Sequence, residues 1–444
     1  MQNNKEKKAT GKHAAPVTPK EGADFSAIST DDHLYGDEAD LPERKHKKTP
    51  KKKKRKSRRA KKSPHRARKL PVSVSKITTP RGMSYQIRFF GREIRLNRIL
   101  VLALAIVVLA FLFLNNGSVS LVEEKLTVVG LADSLENYRI LVISDMNGQR
   151  FGDKQSALLR TINAANYQAI IFLGDMVGSG GDPEPFYELL EGIPAGKKVF
   201  FIAGDSDPSP VLDTPRDITD TLSRMVLADW VLGAIDRGAT YVDSPVCLTV
   251  GSANIWLTPA TMLNYEATEY VTAWKEQTEQ EQDGVLAGLQ TDYAALPLTS
   301  YRYRVAESFY SALNSMKDGD FQVLLAHEPP TDDFLTAGVG RTEDGKYLPT
   351  PDLVLAGHFC GGVVRLPAIG AFYVPDMMMP RNGWFPTQDD VRGLSTIGQT
   401  QKYITGGLST NADVPILFAR LLNPPEITLL TLSATLPENM LDAQ

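Results

Sequence analysis

A chain of 444 residues with a formal net charge of −3 has room for one large domain or two ordinary ones. Its two cysteines, Cys247 and Cys360, are too few for a disulfide framework, which excludes the small cross-linked secreted scaffolds. The near-neutral total conceals two opposed halves. Residues 1–98 hold 28 Lys and Arg against 10 Asp and Glu, a net of +18, whereas residues 99–444 hold 21 against 42, a net of −21. Such a split predicts that the two halves meet different surroundings.

Residues 1–75 are rich in Lys, Pro, Ser, Thr and Ala and poor in large apolar side chains, which predicts a disordered tail. Seventeen Lys and Arg crowd into 44–69, including the run KKKKRK at 51–56. Anionic lipid head groups and nucleic acid both suit such a run. The absence of interleaved aromatic residues and of a nucleic-acid-binding motif favours lipid. Residues 76–98 read as a juxtamembrane segment. Then comes ILVLALAIVVLAFLFL at 99–114, about 24 Å long as a helix against a hydrocarbon core of about 30 Å. Arg95 and Arg98 can snorkel at its start, and 115–118 extend its end, so 99–118 is predicted to span the membrane. Arg81, Arg88, Arg92, Arg95 and Arg98 precede the span and Glu123 and Glu124 follow it. The positive-inside rule therefore places the N-terminus in the cytoplasm and 119–444 on the extracellular face. A cleaved signal peptide would need an n-region of about 98 residues, far beyond the usual length, so an uncleaved signal anchor is expected.

Beyond the span the pattern becomes that of a globular domain. Strands are predicted at 138–144, 169–174 and 199–204, with helices at 154–165 and 185–190 between them, the alternation of βαβ units and a mostly parallel sheet. A helix is predicted over 217–231, strands within 240–258, and an exposed Glu/Gln-rich helix over 265–282. Strands resume at 322–326 and 352–356, and the C-terminal segment reads as turns and strands. Cys247 falls in an alternating run and is expected to be a small core residue.

Five of the apolar runs end on a side chain able to hold a metal ion: Asp145 in YRILVISDMNG, Asp175 in AIIFLGDMVG, Asp205 in VFFIAGDSDP, His327 in VLLAHEPP and His358 in LVLAGHFCGG. One aspartate after a strand is ordinarily a helix cap or turn former. Five such residues, which would gather beyond the carboxyl ends of the strands of an open α/β sheet, point instead to a shared site. Oxygen and imidazole donors in this mixture suit Mn, Fe or Zn. His327 and His358 are the only histidines of 119–444.

These residues, in this order, resemble the calcineurin-like metallophosphoesterases, and within them membrane-associated bacterial phosphoesterases. The family pattern is D-x-H, G-D, G-N-H-D/E, a lone His and G-H-x-H. The resemblance covers roughly 138–433, and NPPEITLLTL resembles the closing strand of the bacterial subgroup. It implies a central β-sandwich flanked by helices and hydrolysis of phosphomono- or diesters with one or two divalent metal ions. One metal position would use Asp145, Asn147, Asp175 and Cys360. The other would use Asp175, Asp205, His327 and His358.

Four positions depart from the family pattern. Asn147 replaces the histidine of D-x-H and offers only an amide oxygen. Asp205 replaces the asparagine of G-N-H and adds a charge. Cys360 replaces the final histidine, and as a thiolate would favour Zn. Ser206 occupies the position of the family's catalytic histidine, and serine is a poor proton donor at neutral pH. These departures leave a second reading open, a catalytically impaired relative acting as an exported ligand- or protein-binding domain.

Overall fold

In this computed structural model, residues 72–79, 82–89, 92–95, 98, 100–107, 110, 118–217, 221–287, 295–338, 347–366, 368–374, 383–410 and 420–434 are described. They divide into two compact units, 1–99 and 100–444. In the first, β1 (Val72–Thr79), β2 (Gly82–Phe89) and β3 (Arg92–Arg95) form an antiparallel sheet. This corrects one expectation, since 72–75 belong to a strand rather than to a disordered tail; the rest of the meander falls on 76–98, the segment read as juxtamembrane. Perfect alternation at Met83, Tyr85, Ile87 and Phe89 is the period-2 signal that the charge pattern overshadowed. The basic segment 44–69 lies outside the described residues. The apolar run is described only at 100–107 and 110, which are helical. Among the described residues no helix is long and apolar enough to cross a membrane.

The second unit is built on two six-stranded sheets. Its strands are β4 (Ser120–Thr127), β5 (Arg139–Ile143), β6 (Ala169–Leu173), β7 (Lys198–Ile202), β8 (Thr240–Tyr241), β9 (Val246–Val250), β10 (Ala253–Pro259), β11 (Phe321–Leu325) and β12 (Leu353–Ala356). A small three-stranded sheet follows, β13 (Val364–Leu366), β14 (Gly370–Val374) and β15 (Gly383–Trp384). The chain then adds β16 (Gly393–Ile397), β17 (Thr400–Ile404) and β18 (Glu426–Ser433). One large sheet runs β4-β18-β5-β6-β7-β8 and the other β16-β17-β12-β11-β10-β9. The strands that lead to the candidate ligands are internal and parallel to their neighbours, except that β5 pairs antiparallel with β18.

Ile140, Val142, Ile171 and Leu173 of the first sheet share a buried core with Ile255, Leu257, Val323, Leu325 and Leu355 of the second, so the sheets pack face to face. Residues of the opposite register, such as Leu141, Ile143, Phe172, Leu324 and Val354, face the helices. Those helices are α1 (Ser156–Ala164), α2 (Glu184–Glu191), α3 (Leu222–Val226), α4 (Asp229–Asp236), α5 (Ala267–Leu286), α6 (Ala295–Ser315) and α7 (Asp332–Gly338). The α/β class and the sandwich flanked by helices agree with the sequence reading.

Two expectations are corrected in this unit and one helix is added. The helix predicted over 217–231 is two helices, α3 and α4, because Arg216 takes the Leu227 carbonyl and the Ala228 amide donates to Pro210, which breaks the ladder. The 21-residue α6 was not anticipated. Cys247 is exposed, not a core residue, because Leu248 is the member of β9 that turns into the sandwich. Cys247 and Cys360 are both free thiols.

Candidate metal centre

The carboxyl ends of β5, β6 and β7 in one sheet and of β11 and β12 in the other deliver all five predicted ligands to one end of the sandwich. Two overlapping groups result, Asp205 with His327 and His358, and Asp145 with Asp175 and His327. Within each, the ligand atoms all lie within 4.8 Å of one another. His327 Nε2 stands 2.8 Å from Asp205 Oδ1 and 3.3 Å from Asp175 Oδ2, and His358 Nδ1 is 3.4 Å from Asp205 Oδ1. Asp145, Asp175 and His327 are buried, while Asp205 is exposed.

The turns that carry these residues are held in uncommon backbone geometry. Asp145, Asn147, Asp175, His358 and Cys360 all have positive φ, between 48° and 71°. Left-handed non-glycine residues are costly and gather at functional sites. Backbone bonds between loops keep them there: the Asp145 amide donates to the Gly174 carbonyl, Asn147 to Asp175, and Ser409 to Asp145. Gly204 completes the packing, since a Cβ at that position would stand 2.2 Å from Asp175 Oδ1.

Hydrogen bonds orient the donors. His327 Nδ1 donates to the Leu173 carbonyl at 2.7 Å, which leaves Nε2 as the ring atom available to a metal. Asp145 Oδ1 accepts the His358 amide at 3.2 Å, and its Oδ2 accepts the Ser144 hydroxyl. Asp175 Oδ1 accepts the Ser206 amide at 2.9 Å. Burial pushes the Asp145 carboxyl up from its ordinary value. Burial would do the same to Asp205, but hydrogen bonds and charge from His327 and His358 hold its carboxyl far below the usual range. His327 feels burial pulling it down, yet the Asp175, Asp205 and Asp145 carboxylates raise it well above its ordinary value.

A divalent ion fits this set. His327 Nε2 and Asn147 Oδ1 are buried with no aligned hydrogen-bond partner. Asn147 Oδ1 is an unsatisfied acceptor of the kind that a cation relieves, and His327 Nε2, facing the Asp175 and Asp205 carboxylates, is where a metal ion would take the place of a proton. Asn147 is fixed from its other end, with Nδ2 donating to Ser409 Oγ at 3.3 Å. Cys360 differs from expectation. It joins neither ligand group, its thiol donates to the His358 carbonyl at 3.3 Å, and burial together with the Asp145 charge pushes it well up from its ordinary value. The case for Zn through a Cys360 thiolate therefore gains no support from the geometry. Ser206 lies beside the centre through its amide, as the motif alignment requires.

Supporting residues went unread in the sequence. Asp207 accepts the Val177 and Gly178 amides at 2.7 and 2.9 Å on one oxygen and the Gly204 amide at 2.9 Å on the other, tying the Asp175 turn to the Asp205 turn. Its place two residues after Asp205, matching the acidic member of the G-N-H-D/E pattern, was the available signal. Arg420 is buried and donates to the carbonyls of Gly406, Gly407, Cys360 and Asn423, while Asn423 Nδ2 donates to those of Cys360 and Gly362. Nothing local in the sequence marks that pair.

The calcineurin-like phosphoesterase family profile matches residues 138–361. No curated protein sequence matches the chain. Among solved structures, the chain is similar to the phosphopantetheinyl hydrolase from Mycobacterium tuberculosis, at 13% identity, with 62% of this chain and 91% of that chain covered and a TM-score of 0.30. A likeness that weak carries no argument, whereas the profile spans half of the chain and every candidate ligand position. The chain belongs to the calcineurin-like phosphoesterase family, hydrolases of phosphoester bonds.

Proposed function

We propose that this phosphoesterase is metal-dependent and membrane-anchored, and that it hydrolyses phosphomono- or diesters at the outer face with its basic tail in the cytoplasm. The observation that carries the catalytic part is the convergence of Asp145, Asp175, Asp205, His327 and His358 from both sheets into two overlapping donor groups. Asp175, Asp205, His327 and His358 would hold one divalent ion, and Asp145, Asn147 and Asp175 would supply a second position. Such an ion provides Lewis-acid stabilisation for charge developing on a phosphoryl group. The chain's own residues do the rest. The Leu173 carbonyl keeps the His327 proton on Nδ1, Ser206 steadies Asp175 through its amide, and the exposed edge of Asp205 marks the solvent side from which a substrate enters. The anchoring part is supported by the apolar run at 99–114 and by the opposite charges of the regions flanking it. The lipid bilayer and a phosphoester substrate are thus its partners.

One observation favours the second reading, an impaired relative that binds rather than cleaves. Both histidines of 119–444 stand in the donor groups, so no imidazole remains for proton transfer to the leaving group. Metal analysis of the purified chain, followed by hydrolysis of a chromogenic phosphodiester with Mn, Fe and Zn, separates the two. The first reading expects bound metal and a rate that His358→Ala lowers at least about tenfold, a loss of transition-state stabilisation of about 1.4 kcal/mol. Bound metal with equal rates in both proteins supports the second reading, and no bound metal sinks the first.

A further inference from the structure

Directly after the His358 and Cys360 turn, the chain builds the small sheet β13-β14-β15, and this sheet displays aromatic rings to solvent. Trp384 is 67% exposed, Phe385 65% and Ile369 52%. The rings form one cluster. Phe372 meets Trp384 and Phe385 edge-on at 5.2 and 4.7 Å, and Tyr373 lies 4.8 Å from Trp384. Exposed apolar side chains scattered singly need no explanation, but contiguous rings of this size do. Phe385 also adopts φ of 55°, a left-handed conformation that is unfavourable for a bulky residue. The Phe385 amide bonds the Phe372 carbonyl at 2.9 Å, so the strained residue is part of the sheet rather than a frayed end.

The cluster is coupled to the metal centre through a single small core. Ala371 and Val374 of β14 pack with Phe359 and Val391, and the Phe359 ring stands 5.0 Å from that of His358. What covers the rings follows from the chain's own length. Residues 115–119 separate the apolar run from β4, a tether of at most about 18 Å. If that run crosses the membrane, a lipid surface is always within reach of the domain. Trp beside other aromatics is the composition that settles at the boundary between head groups and hydrocarbon, where one part of the ring is wet and the rest apolar.

We propose that the β13-β14-β15 sheet, through Trp384, Phe385 and Ile369, seats in the head-group boundary of the bilayer and turns the domain so that the His358 side faces the membrane. This rests on the membrane-anchored reading above and adds a second, independent contact to it.

Tryptophan emission tests it. The chain's other three tryptophans are Trp230 and Trp256, which are buried, and Trp274, half-buried beneath the Arg302 guanidinium. None lies in or before the apolar run. The full chain is reconstituted into phosphatidylcholine and phosphatidylglycerol vesicles with plain or brominated acyl chains, and flotation is recorded before fluorescence. The expected result is that the wild type floats with the vesicles and loses emission in brominated lipid, that Trp384→Phe floats and loses none, and that Phe385→Ser loses less than the wild type. Floating chains with equal emission loss in wild type and Trp384→Phe would overturn the seating while leaving the anchor intact. A chain that does not float overturns the anchor, and the seating with it. A dimer of the full chain that Trp384→Ser converts to a monomer also overturns the proposal, because a second copy would then be the cover.

Discussion

Gly204 leaves the centre no room for adjustment. A Cβ there would meet Asp175 at both Oδ1 and the amide nitrogen, 2.2 and 2.3 Å away, and neither atom is the free end of a flexible chain. Gly204→Ala is expected to cost about 1–3 kcal/mol of stability, as overpacking does. Because the displaced group is a ligand, bound metal should fall as well, and a thermal melt paired with metal analysis reads both. Ser206 is the opposite case, a residue whose side chain can change while its backbone work is kept. Its amide holds Asp175 whatever the side chain is. Ser206→His is therefore expected to retain metal and to raise the rate, by up to about 10²–10⁴-fold if a proton donor is all that is lacking. Steady-state rates on an alkyl phosphodiester check this, and an unchanged rate would count against the alignment of GDSD with the family's G-N-H-D/E.

At the scale of elements, the loops behind the ligands are held by Arg420. Its guanidinium gathers carbonyls from the Cys360 turn and from 406–407, the segment whose neighbours bond back onto Ser144 and Asp145. Arg420→Met keeps the apolar stem and strands the Gly406 and Asn423 carbonyls, at about 1–3 kcal/mol for each one left without a partner, while those of Cys360 and Gly407 keep Asn423 Nδ2 and the Glu426 amide. A drop in melting temperature with the metal content also reduced is the expected outcome, and a melt unchanged from wild type would refute it. Much of this architecture was legible in advance. Buried parallel strands are continuous apolar runs, so β5, β6, β7, β11 and β12 announce themselves, and the ligands follow directly from their ends. What stayed hidden depends on partners distant in sequence. The first strand of the sandwich, β4, reads SLVEEKLT and becomes a strand by pairing in parallel with β18, some 300 residues later. The break between α3 and α4 exists because Arg216 reaches the Leu227 carbonyl. Asp207 and Arg420 matter only once separate turns have been brought together around them. Cys247 was misplaced because alternation shows that one face is buried without saying which.

For the whole molecule, the charge division is the governing feature, and the exposed Cys247 thiol makes it measurable. The first 246 residues contain no cysteine, and Cys360 is buried. A membrane-impermeant maleimide applied to intact cells is thus expected to label the protein at Cys247, with Cys247→Ser silent. Labelling that appears only after lysis would place the acidic domain on the inner side and overturn the outer-face assignment. A different consequence follows from the left-handed turns at Asp145, Asn147, Asp175, His358 and Cys360. Two of these, Asn147 and Cys360, no longer carry the family's side chains, yet their backbones hold the same unusual conformation as the three that do. Bonds between loops hold these turns, so the conformation does not depend on which side chain each one carries. A histidine donor at either position would therefore need only a single-residue replacement, because the turn that would carry it is already formed.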